Sequence, residues 1–131
     1  MNRPILWEHF QPGVLLGATT LTYCKSLSRS WERIFGPDDA CSAAEAASIA
    51  TALMMRGYLH VVTPRPPGNL HARQRLTIDS LPRPGDRINL AVTCLSKELK
   101  RERRYVDLQV RGKSGDGRAL FVGVMSLIWA A

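Results

Sequence analysis

The stretch AAEAASIATALMMR, residues 43–56, decides the fold. It is rich in alanine, and no charged residue lies between Glu45 and Arg56. Ser42, followed three residues later by Glu45, fits a capping box at the start of a helix, and Gly57 fits a stop at its end. A helix that is small and apolar all round is typical of a segment buried on most sides. We therefore predict a long buried helix over Ala43–Arg56 at the centre of the fold.

A strand and a shorter helix are predicted before this central helix. Val14–Leu21 is rich in β-branched and apolar residues, as strands are. Apolar residues recur at helical spacing over Tyr23–Phe35, and the following Gly36-Pro37 is a stop signal. Residues 1–13 contain two prolines and form an irregular lead-in.

After the central helix the hydrophobic period changes to two, which predicts strands. Apolar and polar residues alternate over Leu70–Ile78, the pattern of a half-buried strand. The charged segment KELKRERR, residues 97–104, is predicted to form a hairpin tip between two further strands. The inward positions of those two strands are Ile88, Leu90, Val92 and Cys94 on the first and Val106, Leu108 and Val110 on the second. The chain is therefore predicted to be one α+β domain, residues 1–131, with an antiparallel sheet wrapped around a long buried helix.

The final strand, Ala119–Trp129, is apolar on both faces. One central helix covers only one face, and soluble monomers rarely expose a large apolar patch. We expect the central helix to cover one set of side chains and a second subunit to cover Phe121, Met125, Leu127 and Trp129. The pattern therefore predicts a dimer.

Composition excludes several classes of function. The chain has a net charge of +7 and no apolar run of the length that spans a membrane. Its start lacks the apolar core of a secretory signal. The three cysteines, Cys24, Cys41 and Cys94, form no zinc or disulfide pattern, which favours a reducing cytoplasm and no metal site. The basic balance indicates an anionic partner, but the aromatic residues are not interleaved with the basic ones, so nucleic acid is not favoured.

Three motifs, in this order along the chain, resemble the MaoC-like dehydratases and hydratases of the hot-dog fold. They are GVLLGATTLT at residues 13–22, LPRPGDRI at residues 81–88, which is similar to the family's PVRPGD-L turn, and GDG at residues 115–117. The resemblance covers residues 13–130. It implies the hot-dog fold and a function on acyl-CoA or acyl carrier protein thioesters. It implies no separate cofactor, since coenzyme A would enter only as part of the substrate.

The catalytic signature of that family differs in this chain. The family's hydratases carry G-D-x-N-P-x-H before the central helix, and its Asp and His activate water. Residues 36–42 read GPDDACS here, with two acids but no Asn-Pro and no His. Asp38 and Asp39 are therefore the candidate catalytic carboxylates, and their alternative role is that of loop acids favoured by the helix dipole.

A histidine is the other candidate catalytic group, because histidine exchanges protons near neutral pH. We assign His60, after the central helix, as the candidate base, with His71 as its alternative. Three functions stay open: a dehydratase or hydratase, an acyl-CoA thioesterase, and a non-catalytic partner subunit that pairs with another hot-dog chain.

Four arginines flank the Pro-rich loop and the turn at residues 81–88. Arg65, Arg73, Arg75 and Arg83 are predicted to bind the phosphates of coenzyme A or to meet an acidic carrier protein. Their alternative role is that of a solvated strand face. In a two-fold dimer we expect Arg73 and Arg75 of one chain to lie near the central helix of the other, so that the thioester cleft forms at the interface.

Overall fold

The computed structural model describes residues 3–35 and 43–131. A short 3-10 helix, Trp7–His9, is followed by two α-helices, α1 (Lys25–Phe35) and α2 (Ala43–Val61). The strands are β1 (Leu15–Thr22), β2 (Leu70–Ile78), β3 (Arg87–Lys100), β4 (Arg103–Ser114) and β5 (Ala119–Trp129). In the described part of the chain these strands form one antiparallel sheet in the order β1-β3-β4-β5-β2. The sheet wraps α2, so the predicted α+β architecture is confirmed.

Helix α2 buries one face and exposes the other. The buried positions are Ala46, Ile49, Ala50, Leu53, Met54 and Tyr58. Ala44, Ser48, Ala52 and Arg56, spaced four residues apart, are exposed. The prediction that this helix is buried on most sides is therefore wrong for the single chain. Three of these four exposed residues are small, and an alanine-rich helix has an apolar sequence whether or not its outer face is packed.

Glycines let α2 lie very close to the sheet. The helix continues past Gly57, the predicted stop, to Val61. A Cβ at Gly57 would stand 3.0 Å from Cδ1 of Leu90, and a Cβ at Gly123 would overlap the sulfur of Met54. Gly57 is thus a packing position inside the helix, because the missing side chain makes room for a β3 residue.

The inner faces of β3 and β4 are the predicted ones. Every one of Ile88, Leu90, Val92, Cys94, Val106, Leu108 and Val110 is fully buried. The hairpin tip is also confirmed, since the two strands run up to a turn at Arg101 and Glu102. Both turn residues have positive φ, 50° and 64°, as two-residue hairpins of type I′ require.

The two faces of β5 are reversed relative to the prediction. Phe121, Met125, Leu127 and Trp129 are at most 2% exposed and belong to the core. The lead-in covers Trp129: the Phe10 ring lies edge-on to it at 4.9 Å, and its Nε1 donates to the carbonyl of Ile5 at 2.8 Å. When a strand is apolar on both faces, its sequence does not indicate which face points inward. Assigning the wrong face places every side chain on the wrong side of the sheet. These four residues therefore give no argument for a dimer.

Strand β2 is far more exposed than a half-buried strand. It pairs with β5 on one side and is the edge of the sheet on the other. Helix α2 packs chiefly on β1, β3 and β4, so β2 lies beyond its cover. Leu70 is 59% exposed and Ile78 36%. An edge of this kind is a template for pairing with another strand.

Helix α1 begins at Lys25, two residues after the predicted start. Tyr23 is fully buried, and its backbone is bonded to the turn at residues 81–88 instead of to the helix. Its N–H donates to the carbonyl of Asp86 at 2.9 Å, and its carbonyl accepts the N–H of Gly85 at 2.7 Å. Within residues 3–35 and 43–131 no helix is long and apolar enough to cross a membrane.

Substitution of Gly123 by alanine tests the contact between α2 and the sheet. We expect Gly123→Ala to lower the free energy of unfolding by about 1–3 kcal/mol, because the added Cβ forces the buried Met54 side chain aside. Urea denaturation followed by circular dichroism measures it. The control is Gly115→Ala, whose Cβ would meet its nearest neighbour, the carbonyl oxygen of Arg87, at an ordinary 3.7 Å. Equal stability of the two variants would contradict this packing.

Candidate functional site

The turn at residues 81–88 is built by its own motif residues. Gly85 adopts a φ of +94°, which glycine tolerates and other residues rarely adopt. The Asp86 carboxylate accepts the backbone N–H of Arg83 at 2.8 Å. It also pairs with the Arg118 guanidinium at 2.9 Å. The aspartate therefore holds the turn together and fastens it to the start of β5.

This turn forms one wall of a cavity at the N-terminal end of α2. The cavity has a volume of about 520 Å³. Its lining residues are Ala46, Ser80, Leu81, Pro82, Arg83 and Arg118, and we call it the N-terminal pocket. Ala46 belongs to the first turn of α2, where backbone N–H groups lack partners within the helix and the helix dipole is positive. The Arg118 guanidinium is paired with Asp86, so Arg83 is the lining cation that makes no ion pair with any described residue. Together with the helix end, Arg83 suits the pocket to an anionic or carbonyl-bearing ligand.

A buried carboxylate lies next to this pocket. Glu45 is 5% exposed and accepts a hydrogen bond from Ser28 Oγ of α1 at 2.6 Å. Burial of a carboxylate is costly unless hydrogen bonds compensate, so this contact ties α1 to α2. The sequence pattern paired Glu45 with Ser42, which lies outside the described residues. The bond from Ser28 had no sequence signal, since it joins residues that only the packing of two helices brings together.

A second cavity lies at the C-terminal end of α2. It has a volume of about 320 Å³, and we call it the C-terminal pocket. Its lining residues are Met55, Tyr58, Arg65, Pro66, Gly68, Asn69, Leu70, His71 and Leu127. Apolar side chains thus meet a phenol, a guanidinium and an imidazole. Burial raises the pKa of the Tyr58 phenol, while the nearby charge of Arg65 opposes this rise, so Tyr58 is a hydrogen-bond donor at neutral pH.

Arg65 closes the end of α2. Its Nη1 donates to the carbonyls of Leu59 at 3.0 Å and Val62 at 2.7 Å. Its guanidinium also lies 5.7 Å from the centre of the Tyr58 ring. The last carbonyls of a helix lack partners within it, and the helix dipole stabilises a positive charge at this end. Arg65 is thus held at the mouth of the C-terminal pocket with its remaining N–H groups available.

The structure separates the predicted site residues. Asp38 and Asp39 lie outside the described residues. Arg83 is at the N-terminal pocket and Arg65 at the C-terminal one. His60 is exposed in the last turn of α2, and His71, its alternative, lines the C-terminal pocket.

Two predicted phosphate-binding residues lie on the other side of the sheet. Arg73 pairs with Ser126 and Arg75 with Val124, which places both side chains on the face opposite α2. The same alternation that turns Leu76 inward turns Arg73 and Arg75 outward. The bulge between His71 and Arg73 changes only the start of the strand, where His71 pairs with the buried Leu127. The expectation that the two arginines lie near the central helix of a second chain concerns a dimer, and it stays a prediction.

The two pockets are far apart within one chain. Ala46 lines the first and Tyr58 the second, and the twelve residue steps from one to the other span about 18 Å of helix. A substrate's reacting atoms cannot contact both ends of α2 in the same chain. A site whose reacting atoms contact both kinds of pocket therefore requires a second chain.

Two further features bear on chemistry. Cys94 is buried as predicted, and burial raises the pKa of its thiol, whereas Cys24 is exposed. Cys24 Sγ lies 2.8 Å from Ser26 Oγ, which lowers its pKa. Among residues 3–35 and 43–131 no group of three His, Cys, Asp or Glu side chains is arranged to hold a metal ion.

The fold is that of several solved enzymes. A MaoC-like dehydratase from Rhodospirillum rubrum superposes with a TM-score of 0.79 at 16% identity, covering 95% of this chain and 96% of that one. The R-hydratase PhaJ1 from Pseudomonas aeruginosa superposes with a TM-score of 0.71 at 17% identity, covering 96% of this chain and 86% of that one. The HadBC 3R-hydroxyacyl-ACP dehydratase complex from Mycobacterium tuberculosis superposes with a TM-score of 0.64 at 15% identity, covering 84% of this chain and 90% of that one. No family model and no curated protein sequence matches the chain. The fold expected from the sequence motifs is thereby confirmed.

Substitution of Asp86 tests the turn that borders the N-terminal pocket. We expect Asp86→Asn to reduce stability by about 1–2 kcal/mol, because it removes the partly buried charge that pairs with Arg118. Thermal unfolding measures the loss. The control is Asp79→Asn, since Asp79 is exposed and makes no ion pair with any described residue. A loss in the control as large as that in Asp86→Asn would assign the effect to net charge instead of the turn.

Proposed function

We propose that this chain, which has the hot-dog fold, is a MaoC-like protein that binds acyl thioesters at a site completed by a second hot-dog chain. The observation that carries the proposal is the separation of the two pockets at opposite ends of α2, next to a sheet edge that is open for pairing. The solved structures with this fold include dehydratases and a hydratase, which supports thioester chemistry.

Pairing across β2 would join the two kinds of pocket. Two β2 strands that pair antiparallel about a two-fold axis set the start of one against the end of the other. Leu70 and His71, at the start, line the C-terminal pocket. Ser80 and Leu81, just after the end, line the N-terminal pocket. The C-terminal pocket of one chain therefore comes next to the N-terminal pocket of its partner.

Such a joined site has the parts that a thioester needs. The positive end of α2 and its free N–H groups would polarise the thioester carbonyl. Arg83 at the rim suits an anionic group of the carrier, whether coenzyme A or a carrier protein. The apolar side chains of Met55 and Leu127 in the partner's pocket would contact the acyl chain, and Tyr58 would donate a hydrogen bond.

Hydration of an enoyl thioester adds hydroxide to the β-carbon and a proton to the α-carbon, so it needs a base and an acid in place together. Asp38 and Asp39 remain candidates for the base. No histidine accompanies them in residues 36–42. We therefore propose that the acid–base pair is supplied by another hot-dog chain with an intact signature. The HadBC complex supports such an assembly, because it is a dehydratase named for two components.

The isolated chain is expected to hydrate crotonyl-CoA very weakly or not at all. A general acid–base group contributes about 10²–10⁴-fold to rate, and the histidine of the signature is missing. The assay follows loss of the enoyl chromophore and, separately, release of free thiol. Tight binding of acyl-CoA without turnover supports the partner-subunit function. Robust hydration that is abolished by Asp39→Asn or His60→Ala would contradict it.

Release of free thiol would instead identify a thioesterase. Two adjacent carboxylates just before α2 favour this second function, since either one can activate water or attack the thioester. Asp38→Asn and Asp39→Asn would then separately test which carboxylate is used.

The oligomeric state tests pairing through β2. When no different partner chain is present, we expect the open β2 edge to pair with a second copy. Light scattering at micromolar concentration is then expected to give the mass of two chains. Leu70→Glu with Ile78→Glu is expected to yield monomers, because the charges remove exposed apolar contacts and repel their symmetry mates. The control is Leu99→Glu at the hairpin tip, where Leu99 is 62% exposed. A well-folded monomer in the unsubstituted protein would overturn self-pairing and leave only a different partner chain.

A further inference from the structure

The face of the sheet opposite α2 carries a cavity that the proposed thioester site does not use. Its volume is about 300 Å³. The residues that line it are Ala18, Asn89, Leu90, Ala91, Arg111, Lys113, Ser114, Gly115 and Gly117. We call it the outer-face hollow. It lies where the middle of β1, the start of β3 and the end of β4 meet the turn between β4 and β5.

Strand register explains why the hollow exists. Ala18 of β1 pairs with Ala91 of β3, and Ala91 pairs with Arg111 of β4. Lys113 pairs with Asn89. Two methyl groups therefore lie side by side between longer side chains and form an apolar floor. Arg111 and Lys113 are two residues apart on one strand, so their Cα atoms are about 7 Å apart, and both line the hollow.

Both cations in the hollow lack a counter-charge. Arg111 and Lys113 are exposed and make no ion pair with any residue the structure describes. The residues paired with them across the strands are Ala91 and Val122 for Arg111, and Asn89 and Ala119 for Lys113, none of which is acidic. Asp116 is in the adjoining turn, but its carboxylate accepts from Ser114 Oγ and from the Arg118 backbone N–H at 3.2 Å.

Asn89, a further polar side chain at the rim, also offers donors. Thr20 Oγ1 donates to Asn89 Oδ1 at 2.8 Å, which occupies the amide oxygen and leaves the Asn89 NH₂ group available. A guanidinium, an ammonium and an amide NH₂ group therefore surround an apolar floor. Charge-assisted donors of this kind recognise phosphate.

We propose that the outer-face hollow binds the phosphate of a nucleotide. Arg111 and Lys113 hold the phosphate oxygens, the Asn89 NH₂ group donates a further hydrogen bond, and the flat face of the base rests on Ala18 and Ala91. The nucleotide has two sources with this shared chemistry: the nucleotide end of coenzyme A or a free mononucleotide. The site goes beyond the proposed thioester function, because it is on the other face of the sheet and requires no reaction.

Adenosine 3′,5′-bisphosphate is the probe, measured by isothermal titration calorimetry on the purified protein. Arg111→Gln and Lys113→Gln are each expected to weaken binding at least about tenfold, since each removes a charge-assisted hydrogen bond. The control is Arg103→Gln, which removes the same charge at the far end of β4 and is expected to change affinity less than about twofold. Absence of binding, or an equal loss in the control, would overturn the site.

A further variant separates a shaped hollow from a diffuse positive field. Ala91→Leu leaves every charge in place and fills the floor, so it is expected to weaken the bisphosphate at least about tenfold while inorganic phosphate binding changes little. Unchanged bisphosphate affinity in Ala91→Leu would overturn recognition of the base.

The affinity of the Arg111→Gln variant for acyl-CoA distinguishes the two sources of the nucleotide. A parallel loss of acyl-CoA affinity assigns the hollow to the coenzyme, and unchanged acyl-CoA affinity with weakened bisphosphate binding assigns it to a free nucleotide. Both results support the site. Because the probe contains no thioester, failure of the proposed thioester function does not affect this measurement.

Discussion

The close contact between α2 and the sheet is the constraint on which the rest of the structure depends. It passes through positions without side chains: Met54 fills the space beside Gly123, and Leu90 fills the space beside Gly57. A third such contact joins Val61 at the end of α2 to Gly17 on β1. A Cβ at Gly17 would stand 2.9 Å from Cγ1 of Val61. With the helix held this close, the inward residues of β3, β4 and β5 have no room for solvent. Packing at this density transmits any change in volume, which is why a single methyl group matters at these positions.

The position of α2 also determines where the cavities lie. Because the helix packs chiefly on β1, β3 and β4, strand β2 is left as an uncovered edge and the two ends of the helix border cavities. Arg83 and Arg118 line the cavity at one end, and apolar side chains with Tyr58, Arg65 and His71 line the cavity at the other. The outer face of the sheet, away from the helix, holds Arg73 and Arg75, two of the arginines predicted to bind phosphate. The fold alone does not determine the function, which depends on these separate groups of side chains.

The motif that best indicated the fold has a structural explanation. In the turn at residues 81–88, Gly85 is required for its positive φ, and Asp86 binds both the Arg83 backbone and the Arg118 side chain. These residues position a loop between β2 and β3, so their likeness to the MaoC-like motif has an architectural explanation. Segment 36–42, by contrast, is where the sequence departs from the hydratase signature.

The sequence by itself determined the local elements: the existence of α2, the hairpin tip at residues 97–104, and the inward faces of β3 and β4. In those two strands polar and apolar residues alternate clearly, so the period alone identifies the buried side. Only the tertiary structure decided which face of β5 is core. Phe121 and Val122 are both apolar, so the alternation of residues along β5 does not distinguish its buried face from the other. It also decided that Glu45 bonds Ser28 and that His71 pairs with the buried Leu127. The exposed positions of α2, which are Ala44, Ser48, Ala52 and Arg56, were likewise known only from the structure. Each of these depends on contacts between distant parts of the chain, which local periodicity does not encode.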